Sequence, residues 1–323
     1  MGYYFSNNFI EKEPYYNNSL NFFYDSTNKK NETPIQQDSK SQQNWGKVIN
    51  EFKEIARKYE YLLENEDKIP EDSPVWVMWY QGIKNAPSLV KACIQSIIEN
   101  SGNHPVHIVD KTNYEEFVSL PPFVLEKLNN KKISVTHFSD ILRAALLKKY
   151  GGFWIDSTYL ITTPFNIAHN YSLFSLKCLM KYCTMPSLKC QWAINFLACN
   201  KNSFLPTYLF DAFLAYFNTY DTFNQYFLLD SMINVAYKTV EKFKSLFDKL
   251  PYIECNIFRL ASKLNKTDDN YPLDTCAYNK LTWKKNYTLI KDSKPTIYSR
   301  ILDKYKYNSD GELPVTNKFH FFK

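Results

Sequence analysis

Hydrophobic positions along the chain fall into a helical opening followed by alternating strand-like and helix-like runs. Trp45, Val48, Ile49, Phe52, Ile55, Ala56, Tyr59 and Leu63 recur at steps of three and four, which predicts an amphipathic helix over residues 45–64. "EDSP" then breaks the chain before "VWVMWY" (75–80), an apolar run that fits a buried strand. "APSLVKACIQSIIEN" (86–100) reads as a helix opened near Pro87, and "HPVHIVD" (104–110) as a second strand. Strand, helix, strand in that order begins a Rossmann-like parallel sheet. Helices around 114–118 and 121–129, a short strand in "KISVT" (132–136) and a further helix from Ser139 to Tyr150 follow. Ser139 serves there as N-cap and Gly151 as the stop. "FWIDSTYLI" reads as a central strand. Farther on, "YSLFSLK" and "WAINFLAC" are strand-like, 206–217 and 228–247 are helix-like, and 262–272 is a polar surface loop.

The expected fold class is therefore α/β: one Rossmann-like domain over 71–323 with a mixed central sheet and helical additions, preceded by the helical segment 45–70. Residues 1–44 lack periodicity but carry Tyr3, Tyr4, Phe5, Phe9, Tyr15, Tyr16, Phe22, Phe23 and Tyr24. Such an arm is too aromatic for a solvated tail and is expected to dock on its own domain or a partner.

Composition narrows the picture in three ways. Hydrophobic residues at 45% and aromatics at 17% mark a folded globular protein. The net charge of +6 is carried by dispersed pairs such as Lys131-Lys132, Lys148-Lys149 and Lys284-Lys285, with no nucleic-acid stripe. That balance suits an anionic small molecule or a membrane surface. The seven cysteines form no CxxC pair, and are expected to be reduced thiols rather than zinc ligands. No apolar run approaches the ~20 residues that span a bilayer, so the expected location is cytoplasmic, with peripheral association at the inner membrane face. "MGYYFS" matches the form of a myristoylation signal, a pattern short enough to arise by coincidence.

The chemistry concentrates in "HFSDILRAALLKKYGGFWIDSTYLI", residues 137–161. Asp140 and Arg143 are three apart on one face of a largely apolar helix. They read either as an intrahelical ion pair or as groups held for a polar ligand, since burial of charges without good partners costs several kcal/mol. Asp156 stands at a strand end, where it fits a divalent metal or merely caps a turn. On a strand, Asp156 and Thr158 share a side. The histidines, His104, His107 and His137, read as structural, with no metal-binding spacing.

Ser139, Asp140, Leu142, Arg143, Leu147, Gly151, Gly152, Trp154 and Asp156 together form "SDxLRxxxLxxxGGxWxD". This word resembles the core signature of the capsular polysaccharide synthesis proteins and of glycosyltransferase family 32, shared with the glucosylating domains of large clostridial toxins. "VWVMWYQGIKNAPSLVKACIQS" (75–96) and "YFLLDSMINVAY" (226–237) are similar to further segments of the capsular group, so the resemblance covers most of 70–290.

The resemblance implies a GT-A fold that binds a nucleotide-sugar. By position, Asp140 and Arg143 would contact the donor sugar and its phosphates, and Trp79 in "MWYQG" would stack on the base, with Gln81 beside it. Asp156 would be the first acid of the DxD motif and Thr158 its last position, so a divalent cation, Mn or Mg, would rest on one carboxylate and one hydroxyl. Trp283 and Lys284 would meet the diphosphate, although a surface lysine pair explains Lys284 equally. Asp230 would serve the acceptor side, or simply face solvent. The implied reaction transfers a hexosyl residue from a UDP-sugar to a glycan or glycolipid hydroxyl, with retention, in capsular or cell-surface polysaccharide synthesis.

The alternatives are a non-catalytic nucleotide-sugar or glycan-binding relative, a phosphatase-type aspartate site lacking its second acid, and a structural protein whose core charges pair with each other.

Overall fold

Val75, Trp76, Val77 and Met78 are buried without a break, so their strand has no solvent face and belongs inside a sheet. The structure, a computed structural model, describes residues 5–6, 39–64, 67–179, 191–220 and 228–307. In chain order these hold β1 (Phe5–Ser6), α1 (Ser39–Tyr59), β2 (Val75–Met78), α2 (Ser88–Asn100), β3 (Val106–Val109), α3 (Tyr114–Phe117), α4 (Pro122–Asn129) and α5 (Val135–Tyr150). There follow β4 (Gly152–Ile155), β5 (Tyr159–Ile161), β6 (Leu173–Ser175), β7 (Lys177–Cys178), β8 (Phe196–Cys199), α6 (Phe204–Thr219), α7 (Leu228–Thr239) and α8 (Glu241–Asp248). The chain closes with β9 (Tyr252–Ile253), β10 (Tyr278–Lys280), β11 (Ile290–Lys291), β12 (Lys294–Pro295) and α9 (Ile297–Lys304).

The central sheet is mixed, five strands in the order β3-β2-β4-β8-β6. β2 runs parallel to β3 and β4, whereas β8 is antiparallel to β4 and β6. This is the mixed α/β sheet that the hydrophobic pattern predicts. Trp76 pairs with Trp154, so β2 and β4 leave the sheet at the same carboxyl edge. At that edge β5 pairs antiparallel with β10, which sets Tyr159 opposite Lys280.

α5 packs on α6, β2 and β4 and is buried at every position from Phe138 to Leu147 except Ser139. α2 packs on β5 and α9, where Leu89, Ala92, Cys93, Leu160, Ile297 and Ile301 form a second apolar cluster. Among the described residues, no helix is long and apolar enough to cross a membrane.

Several local expectations are corrected. "KISVT" contains no strand; α5 begins there, because the Ser134 hydroxyl accepts from the His137 amide at 3.1 Å and caps the helix. Ser139 is thus an interior residue. "FWIDSTYLI" is two strands, not one, divided by a turn in which the Tyr159 amide donates to the Asp156 carbonyl at 3.0 Å. The run 228–247 breaks at extended Val240, so that Phe243 and Phe247 of α8 turn onto the core, against Phe204 and Trp192 respectively.

Cys255 and Cys276 form a disulfide, against the expectation that every cysteine is reduced. The chain brings their Cα atoms to 5.7 Å, inside the range of about 4.4–6.8 Å that such a bond spans. Cys93, Cys178 and Cys199 are buried free thiols. Of the expected aromatic arm, Phe5–Ser6 pairs with β9, α1 begins at Ser39, and the remainder lies outside the described residues.

Gly151 and Gly152 turn α5 into β4 with φ values of 68° and 87°. A Cβ on Gly152 would sit 2.1 Å from the Pro74 carbonyl oxygen, which itself accepts from the Phe153 amide at 2.8 Å. Gly152→Ala is therefore expected to destabilise the fold by about 2–5 kcal/mol, from the left-handed backbone and overpacking together, read as denaturant unfolding against wild type. A change below about 0.5 kcal/mol, the range of ordinary surface substitutions, would contradict this account of the turn.

Candidate active site

The Gly151-Gly152 turn reverses the chain so that the end of β4 comes back along α5. Asp156 then stands beside Asp140 and Arg143, which are 5% and 4% exposed. One terminal nitrogen of Arg143 lies 3.1 Å from Asp140 Oδ1 and 3.5 Å from Asp156 Oδ1. The other donates to the Ile194 carbonyl, and the guanidinium plane lies over Trp154, 4.8 Å from the ring centre. Trp154 in turn donates its indole N–H to Asp156 Oδ1 at 3.0 Å. This residue of the signature thus holds both Arg143 and Asp156 in place.

The second oxygen of Asp156 faces a residue that motif reading missed. Lys280 Nζ lies 2.7 Å from Asp156 Oδ2 and 2.7 Å from Thr158 Oγ1. Pairing of β10 with β5 puts it there, and a bond from the Lys280 amide to the Ile257 carbonyl at 2.8 Å fixes the strand from its far side. Lys280 lies 124 residues from Asp156, so no local spacing signals the contact.

Asp230 is 3% exposed in the first turn of α7. Trp192 donates to its Oδ1 at 3.2 Å, and its other oxygen finds no partner among the described residues. It does not face solvent. It feels the charges of Asp140 and Arg143 and belongs to the same group.

Protonation follows from burial and neighbours. Burial pushes Asp140 up to about 7, with Arg143 opposing and Asp156 adding to the rise. Burial likewise pushes Asp230 up to about 7, against the Trp192 hydrogen bond. Burial would raise Asp156 as well, but Lys280, Arg143 and the Trp154 hydrogen bond outweigh it and hold the carboxyl below its ordinary value. One acid is thus kept ionised while two nearby acids are biased toward the neutral form.

The other expected residues divide. Trp79 follows β2 at the same edge, and its ring meets that of Trp283 edge-on at 5.6 Å. Its indole N–H is buried with no partner among the described residues. Trp283 is 42% exposed. Gln81 is exposed, and its backbone carbonyl accepts from the Asn85 side-chain amide. Lys284 is also exposed, and its amide contacts Thr282, so Lys280 and not Lys284 is the lysine among the carboxylates.

The donor set does not fit a divalent ion. The oxygens of Asp156 and Thr158 do converge, as the DxD resemblance predicts, but they converge on an ammonium. Among the described residues, no three His, Cys, Asp or Glu come together in a metal-holding group. A divalent ion on Asp156 would share its oxygen with Lys280 and be repelled by it at close range.

The model of the capsular polysaccharide synthesis protein family matches residues 24–301, most of the chain. The chain belongs to that family. A curated relative, the O-glycosyltransferase braB of Annulohypoxylon truncatum, is 30% identical over 105 residues, covering 29% of this chain and 25% of that protein. The match thus spans about a quarter of the relative's length.

The raised Asp230 has a thermodynamic consequence. A carboxyl whose folded-state pKa is raised supports the fold below its unfolded pKa, and that support is lost as pH rises through about 7. Asp230→Asn has no such loss, so its melting temperature should rise relative to wild type between about pH 5 and about pH 8. A difference that stays constant with pH would show that Asp230 is not buried in this way.

Proposed function

We propose that this member of the capsular polysaccharide synthesis family is a glycosyltransferase of the GT-A type. In this reading it moves a hexosyl group from a UDP-sugar to a hydroxyl of a glycan or glycolipid, with retention, during synthesis of cell-surface polysaccharide. The observation that carries the proposal is the convergence of Asp140, Arg143, Asp156 and Lys280 at the carboxyl edge of the central sheet, the edge where open α/β sheets bind ligands. The family match and the printed name of the fungal relative support the transferase class.

The reaction asks for charge stabilisation more than for a nucleophile. The bond from the anomeric carbon to the diphosphate oxygen breaks, and a bond from that carbon to the acceptor oxygen forms on the same face. The acceptor's proton passes to the departing phosphate oxygen. Negative charge grows on the diphosphate, where Arg143 and Lys280 supply cations that do not have to reorganise. Positive charge grows on the sugar ring, beside ionised Asp156. Asp140 binds sugar hydroxyls. Asp230, whose second oxygen has no partner among the described residues and whose carboxyl burial pushes up to about 7, hydrogen-bonds the acceptor. Trp79 and Trp283 offer flat faces for the base. A glycolipid acceptor would bring the enzyme to the cytoplasmic membrane face as a peripheral protein.

The test is nucleotide release from a panel of nucleotide-sugars by the purified protein, with and without glycan or glycolipid extracts as acceptors. Release is expected with a UDP-hexose, and Asp156→Asn should reduce it at least about 100-fold while the melting temperature changes by only a few degrees. Donor binding without release under every acceptor condition would favour the non-catalytic sugar-binding alternative. Neither binding nor release would overturn the proposal.

A further inference from the structure

The DxD reading predicts a divalent cation at Asp156 and Thr158, yet the two side chains already share one. Lys280 Nζ lies 2.7 Å from each of their oxygens, on a side chain 17% exposed. We infer that Lys280 is the resident cation of this site, so that the diphosphate of the donor is held by an ammonium hydrogen bond and donor binding needs no divalent ion. The inference rests on the nucleotide-sugar reading above and concerns the same site.

Three observations carry it. The first is charge. A motif ending in a second acid would gather two carboxylates and call for a doubly charged ion. Thr158 leaves a single carboxylate, which one ammonium matches. Asp140 and Asp156 are then opposed by Arg143 and Lys280, without any added ion.

The second is placement. β10 is paired to β5 through Tyr278–Ile161, Asn279–Leu160 and Lys280–Tyr159, and the Leu281 amide donates to the Thr158 carbonyl at 2.9 Å. Cys276, two residues before β10, is tied to Cys255. The Lys280 ammonium lies 5.2 Å from the centre of the Tyr159 ring. Lys280 is therefore anchored on a braced strand and is not a mobile surface lysine that happens to point inward.

The third is unused capacity. An ammonium has three donors. Asp156 and Thr158 accept two, and on a side chain 17% exposed the third is left for a ligand. Beside it, Arg143 Nε is buried with no partner among the described residues. Two cationic groups on the same carboxylate, one of them with a spare ammonium donor, suit an oxyanion such as a diphosphate.

The experiment measures UDP binding by calorimetry, with the full chain, in EDTA and again in Mn²⁺. Wild type should bind UDP in EDTA and gain less than about threefold from Mn²⁺. Lys280→Met keeps the apolar stem but loses the charge, and should weaken binding in EDTA about 30-fold or more, while Lys280→Arg should retain most of it. Lys280→Asp should reverse the requirement, binding UDP only with Mn²⁺ and acquiring a Mn²⁺ signal in paramagnetic resonance that wild type lacks.

UDP binding by wild type that requires Mn²⁺ would overturn the inference and leave the transferase reading standing. Unchanged binding by folded Lys280→Met would do the same. No binding of UDP under any condition would overturn both. The two wild-type measurements need no variant, so the inference stays exposed to refutation even if Lys280→Met fails to fold.

Discussion

A carboxylate at the carboxyl edge of a buried sheet must find partners for both oxygens, and the partners of Asp156 organise this molecule. One oxygen takes Trp154 and Arg143; the other takes Lys280. Each partner comes from a different element: β4 itself, α5 and β10. Three segments of the fold thus meet on one side chain, and each is positioned by packing and strand pairing. The Gly151-Gly152 turn sets the angle between α5 and β4, and the β5–β10 ladder sets the height of Lys280. A misplacement in either would leave a charge facing a low-dielectric interior, where an unpaired ion costs several kcal/mol.

The same arrangement explains how acids so close together coexist. Asp156 is kept ionised by two cations, while Asp140 and Asp230, more deeply buried, are pushed up to about 7. Environments that drive neighbouring acids apart in pKa are characteristic of sites that handle charge or protons. Among the described residues, Asp230 Oδ2, Arg143 Nε and the Trp79 indole N–H are buried without a partner, one acceptor and two donors. A purely structural ion network would be expected to satisfy its own members.

Much of this was legible in the residues. Steps of three and four mark α1, a helix opening near Pro87 marks α2, unbroken apolar runs mark β2 and β4, and the signature that carries Asp140, Arg143 and Asp156 marks them as one polar cluster. What escaped was set by other forces. The start of α5 was misplaced because β-branched Val135 and Thr136 suggest a strand, whereas the Ser134 hydroxyl caps a helix across them. The division of "FWIDSTYLI" depends on a turn at Asp156 that carries no glycine or proline to announce it. Lys280 is a contact across 122 residues from Thr158, produced by strand pairing alone, and it changes the meaning of the motif. The Cys255–Cys276 bond is likewise tertiary, since nothing in an odd set of cysteines picks out that pair.

The claim on which the rest turns is that Asp156 and Lys280 act as one unit. A double-mutant cycle measures this directly, comparing the unfolding free energies of Asp156→Asn, Lys280→Met and the double variant with wild type. The pair is expected to be coupled by about 1–2 kcal/mol, with the double variant less destabilised than the two single losses added together. Additivity within about 0.5 kcal/mol would mean that the ammonium and the carboxylate do not hold each other, and would contradict the account.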